Sequence, residues 1–174
     1  MSADGRSRAF DINCTRCVRL SEFLEQVRNK HPAYHGRPVA PFGDPAARLL
    51  VVGLAPGMHG ANKTGKPFVG DASGNLLNQA LDQLGLQRRV RITNAVKCLP
   101  IKNLPSAKEV RNCSSFLAAE LETHLEKPSP VVFALGGLAH KAVIATLGQR
   151  QADFPFGHGH VHHHEQLAIV DSYH

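Results

Sequence analysis

A three-layer α/β/α fold with a mostly parallel central sheet is what the sequence predicts, and three observations predict it. Short apolar runs alternate with helical patterns along most of the chain. The best of these runs is apolar at successive positions rather than every second one, which suits a strand buried on both faces. Residues of unusual chemistry, finally, gather where the apolar runs end, which is where such sheets bind ligands. The elements follow in order. Residues 18–28 place Val18, Phe23, Leu24 and Val27 at helical spacing, and Pro32 closes that helix. HPAYHGRPVAPFGD is rich in Gly and Pro and reads as an irregular connection. The run 48–53 is the first strand. Residues 71–85 set Leu76, Leu77, Ala80, Leu81 and Leu84 on one helical face, with Gly85 as the C-cap. Residues 90–97 form the second strand. A helix over 106–126 opens with Ser106 and Glu109 in capping-box spacing. The third strand, 131–135, runs through Gly136 and Gly137 into a helix over 138–147, and 167–170 is the last strand.

The chain holds four cysteines, Cys14, Cys17, Cys98 and Cys113, spaced as C-x2-C, a gap of eighty residues, and C-x14-C. A CxxC turn offers two soft ligands, and a second pair returned by the fold completes a shell for zinc or an iron–sulfur cluster. Spacing leaves both metals open, with paired disulfides or unrelated core thiols as the bland alternatives. The first residues lack an apolar run of signal-peptide length, so a reducing, cytoplasmic setting is expected.

The 174 residues suit one domain over 1–174. Lys and Arg outnumber Asp and Glu by 20 to 14, for a formal charge of +6, which favours an anionic partner such as nucleic acid or else a merely soluble basic surface. No stretch approaches the ~20 apolar residues of a membrane span.

Four groups fall at the predicted strand ends: Gly53-Leu-Ala-Pro-Gly57, Asn94, Gly136-Gly137, and Asp171-Ser-Tyr-His174. Taken singly, the glycines shape turns, Asn94 caps one, and His174 is a terminal residue. Together they mark a site. With the cysteine spacing, HGRPVAPFGD, GLAPGMHGANKTGKPFVGDASG, TNAVKC, NLPSAKEV, ALGGLAHKAV, FPFGHG and DSYH run in order over almost the whole chain. In these motifs the sequence resembles the uracil-DNA glycosylases of the iron–sulfur-containing branch, family 5 or type b, and Ala55 in GLAPG is what separates that type from its sisters.

The resemblance implies a [4Fe-4S] cluster on Cys14, Cys17, Cys98 and Cys113, structural in role, with zinc the alternative. The implied substrate is DNA containing uracil or other deaminated bases, acted on by a monomer. A base stacked in a duplex must be flipped out before it can be read. Phe68 would stack on it, or else is a core residue. Asn94 would read the amide-like edge of uracil by donating and accepting. Cleavage leaves a cationic sugar and a uracil anion, so electrostatic stabilisation should dominate. His174 would bond a uracil carbonyl, and N–H groups from Gly53 to Gly57 would add donors. Ala55 cannot orient the attacking water. Asp71 would hold it, or is an ordinary N-cap; Asn62 and Asn103 are weaker candidates, as amides that position water without acting as bases. Ala55 also leaves room for a broader substrate range. His158, His160, His162, His163 and His164 read as solvated, since no acidic partner completes a metal site, although His158 is expected near DNA. The family pattern continues beyond His174, which gives the expectation of a truncated chain with weakened base extrusion. A four-cysteine nucleic-acid-binding module and a glycosylase-like protein that only recognises damage are the alternatives.

Overall fold

The computed structural model describes residues 9–174; most of the N-terminal stretch read for a signal peptide lies outside them. Six strands among these residues form one sheet in the order β1-β3-β2-β4-β6-β5. β2 (Leu49–Gly53), β3 (Val90–Asn94), β4 (Val131–Leu135) and β6 (Leu167–Ser172) are mutually parallel. The two edges are antiparallel: β1 (Phe42–Gly43) beside β3 and β5 (Val161–His164) beside β6. The three-layer fold is as the sequence predicts. β1, two residues long, carries no sequence signal. No helix among the described residues is long and apolar enough to cross a membrane.

Side-chain alternation along β2 divides the core. Leu50 and Val52 pack on one face with Leu117 and Leu121 of α4 (Ala107–Leu125), Val143 and Ile144 of α5 (Gly137–Thr146), and Leu167 and Ile169 of β6. Val51 turns to the other face with Ile92, Phe68, and Leu77 and Leu81 of α3 (Ala72–Gln83). A third cluster joins Leu20, Leu24 and Val27 of α1 (Val18–Lys30) to Val96, Leu99 and Phe116. The remaining helix, α2 (Ala61–Thr64), is one turn. The face predicted for α3 is too wide: Leu77 and Leu81 are buried, whereas Leu76 and Leu84 are each 70 % exposed. That helix meets the sheet along one stripe only.

The predicted capping box at α4 forms. The Glu109 N–H donates to Ser106 Oγ at 3.3 Å, and the Ser106 N–H donates to Glu109 Oε2 at 2.7 Å. The same carboxylate takes two hydrogen bonds of 2.8 Å from the Arg19 guanidinium, which ties α1 to the head of α4. The last strand runs two residues further than predicted, through Ser172, and its buried face continues past Leu167 and Ile169 to Asp171.

His124, buried at the end of α4, donates from Nε2 to the Val131 carbonyl at 3.0 Å, while Nδ1 faces Lys127 Nζ at 3.4 Å. Burial, helped by the Lys127 charge, lowers its pKa from 6.5 to about 4. The unfolded chain therefore takes up a proton that the folded one refuses. Stability from this group is complete above pH 6.5 and is lost as pH falls toward about 4. Thermal denaturation across that window should show a shallower loss of Tm for His124→Gln than for the wild-type chain.

Candidate active site

β2 and β4 are neighbours whose connections part: the chain leaving β2 passes α3 on one face, and the chain leaving β4 enters α5 on the other. A cleft opens between them at the carboxyl ends of the strands. It holds about 630 Å³ and is lined by Leu54 to Ala61, Phe68, Asp71, Ser73, Asn94, Asn103, Leu135 to Ala139, and His174. Phe68, Asn94, Asp71, Asn103, Ala55 and His174, far apart in sequence, thus share one cavity. Gly53 and Asn62, also predicted for the site, do not line it.

Gly53 matters through what it lacks. A Cβ there would lie 2.5 Å from Asn94 Oδ1 and 2.7 Å from two carbons of the Phe68 ring. Only glycine lets the Asn94 amide and the Phe68 ring cross the end of β2 so closely. Phe68 has φ +55°, which swings its ring back over the strand end, 6.2 Å from the His174 ring. Asn94, last in β3, is 5 % exposed, with its amide at the cavity floor.

The two readings of Asp71 are compatible. Oδ1 accepts the Gly74 N–H at 2.8 Å and caps α3, while Oδ2 lies where a Cβ on Gly60 would fall, 1.9 Å from it. One carboxylate oxygen is thus committed to the helix; the other lies against the loop that forms the cavity wall. Asn62 is fully buried below that wall. Its Nδ2 donates to the Met58 carbonyl at 3.4 Å, and its Oδ1 has no hydrogen-bond partner among the described residues. Asn103 reaches the cavity from a 3₁₀ turn, Ile101–Asn103, with φ +58°. Gly137, Leu138 and Ala139 line the cavity as the first residues of α5, whose opening N–H groups have no intrahelical acceptor.

The structure corrects the reading of the C-terminal tetrad and of the histidines. Within Asp171-Ser-Tyr-His174 only His174 lines the cavity, because Asp171 belongs to the buried face of β6. Asp171 is the acidic partner that the histidines lack in sequence: its Oδ1 is 2.7 Å from His140 Nδ1 and its Oδ2 is 3.3 Å from His162 Nε2. His140 Nε2 donates to the Phe154 carbonyl at 2.8 Å. That bond leaves His140 Nδ1 facing Asp171, and one ligand atom each from His140, His162 and Asp171 lies within 4.8 Å of the others. His158 stacks on Tyr173 at 4.9 Å and accepts its N–H at 3.3 Å, fixing the chain just before His174.

None of the four cysteines is in a disulfide. Cys14 and Cys17 pack with buried Cys98 and Cys113 beside α1 and α4. Burial pushes the Cys98 thiol up, with the other three sulfurs adding to the shift, and pushes Cys113 up to about 11. Donors oppose that trend: the Lys97 N–H points at Cys113 Sγ and the Asn112 amide at Cys17 Sγ, both at 3.4 Å, and Cys17 is the N-cap of α1. Four soft donors gathered in one apolar cluster, with Cys17, Cys98 and Cys113 disfavoured as free thiolates, fit a bound iron–sulfur cluster, whose positive charge would hold them ionised.

The Gly53 contact makes a prediction about stability. Gly53→Ala should cost about 1–3 kcal/mol in urea denaturation through overpacking. Gly57→Ala, where the nearest atom to a new Cβ is 3.4 Å away, should cost less.

Residues 40–174 match the model of the uracil DNA glycosylase superfamily. A type-5 uracil-DNA glycosylase of Pyrobaculum aerophilum is 45 % identical over 94 % of this chain and 78 % of its own length. That of Thermus thermophilus is 41 % identical over 84 % of this chain and 74 % of its own. That of Mycobacterium tuberculosis is 38 % identical over 84 % of this chain and 62 % of its own. A cavity at the sheet's switch point and the order of the motifs around it agree with these likenesses, and the chain belongs to the uracil-DNA glycosylase superfamily, on its type-5 branch.

Proposed function

We propose that the chain removes uracil from DNA by hydrolysing the N-glycosidic bond, leaving an abasic site. The observation that carries this reading is the meeting of Phe68, Asn94, Asp71 and His174 in one cavity of about 630 Å³. A flipped pyrimidine stacks on Phe68 and presents its polar edge to Asn94, whose amide donates to a carbonyl and accepts from the ring N–H. Cytosine reverses part of that pattern and would leave a buried amide group unpaired, which penalises the wrong base. As the bond lengthens, negative charge grows on the base and positive charge on the sugar. His174 and the opening N–H groups of α5, which line the same cavity, bond the first. The Asp71 carboxylate stabilises the second and takes a proton from the incoming water. Ala55, a cavity residue without a polar atom, leaves that role to Asp71 and leaves room for other deaminated bases.

The four cysteines are proposed to hold a [4Fe-4S] cluster. When bound it supplies crosslinking among four thiolates, joining α1, the segment after β3 and α4; no step of base removal passes through it. The formal charge of +6 supports binding to the DNA backbone, with an affinity that falls steeply with salt.

Single-turnover release of free uracil from a labelled duplex tests the reading. Asp71→Asn should slow release by ~10²–10⁴-fold, and His174→Ala by ~10–10³-fold, while binding to undamaged DNA stays within about twofold of wild type. Equal rates for Asp71→Asn and wild type would remove Asp71 from the chemistry; no uracil release by metal-loaded wild-type protein would sink the function itself.

A further inference from the structure

Lys97 is 1 % exposed, one residue before Cys98 and three after Asn94. Its ammonium donates to Thr93 Oγ1 at 2.6 Å and to the main-chain carbonyl of Asn94 at 2.8 Å. Glu120 of α4 supplies the counter-charge, with Oε1 at 2.6 Å from Nζ. That contact is a charge pairing rather than a directed hydrogen bond, and Glu120 Oε2 also meets no donor among the described residues. The backbone of Lys97 is engaged as well. Its N–H points at Cys113 Sγ at 3.4 Å, and its carbonyl accepts the Val39 N–H at 2.7 Å.

Stability does not explain this arrangement. Desolvating an ammonium and a carboxylate is expensive, and a buried pair with unfilled hydrogen-bonding capacity is often no better than an apolar pair of the same volume. The cost falls on the residue that grips the peptide of Asn94. The Asn94 side chain is already confined on its near side by Gly53 and Phe68. Fixing its carbonyl from behind leaves one orientation for the amide at the cavity floor.

We infer that Lys97 is a positioning residue for base recognition: its buried ammonium clamps the main chain of Asn94 and so sets the amide that reads the base. This inference rests on the reading of Asn94 as the base-recognising group. Lys97 also links that amide to the thiol cluster, since the same residue holds Asn94 through Nζ and faces Cys113 through its N–H.

The test is a double-mutant cycle. Lys97→Met with Glu120→Leu removes both charges and keeps the volume roughly constant, so the fold should keep its Tm and its metal content. Release of uracil in single turnover should fall ~10–100-fold, the scale of a slightly misplaced site group. In an Asn94→Ala background, which keeps the carbonyl but has no amide to position, the same pair of substitutions should change the rate by less than about twofold. A second readout is equilibrium binding to DNA carrying 2′-fluoro-2′-deoxyuridine, whose electronegative fluorine resists formation of the sugar cation. Its affinity should weaken ~10-fold while affinity for undamaged DNA holds. Should the apolar pair disturb folding, Lys97→Gln with Glu120→Gln gives the same comparison with side-chain lengths retained. An equal loss in both backgrounds, or no loss in either, overturns the inference while leaving the glycosylase reading intact. A wild-type chain that releases no uracil overturns both.

Discussion

The site depends on the parting of two connections at the carboxyl ends of β2 and β4. Because α3 and α5 lie on opposite faces of the sheet, the chain must open a cleft there, and nothing need be hollowed from the core to make it. What fills the cleft is then decided at one residue. Gly53 ends β2 with no side chain, and Asn94 and Phe68 occupy the volume a Cβ would take. The Asn94 amide and the Phe68 ring are thus packed at the end of β2 before any ligand arrives, which lowers the ordering cost of binding for the roles proposed for them.

Around this point the chain uses electrostatics sparingly but places them deep. Lys97 with Glu120 supports Asn94 from the α4 side, and His140 with Asp171 supports β6, which ends two residues before His174. Both are buried polar pairs; Lys97 also bonds the main-chain carbonyl of Asn94, and His140 that of Phe154. The thiol cluster is a third support, joining α1 and α4 to the segment that follows Asn94. Strength comes from apolar packing on the two faces of the sheet, whereas these polar struts set direction.

Much of this was legible in sequence. Continuous apolar runs gave the parallel strands, Ser106 and Glu109 gave the start of α4, and the strand-end residues pointed to one cavity. The motif resemblance gave the family. Three things were hidden, each for a physical reason. Asp71 caps a helix with one oxygen and faces the cavity wall with the other, and sequence offers no way to divide a carboxylate. Asp171 looked like a loop residue because a charge rarely continues a buried strand face, yet His140, thirty-one positions away, supplies its partner. Lys97 read as a strand extension, since the pairing that buries it comes from Glu120 on a different element.

The most direct measurement is a crystal structure of the metal-loaded chain bound to duplex DNA containing 2′-fluoro-2′-deoxyuridine. The account predicts the uracil flipped into the cleft between β2 and β4, stacked on Phe68, with both polar atoms of the Asn94 amide bonded to its edge. A uracil still stacked in the duplex, or seated in another pocket with Asn94 unengaged, would contradict it.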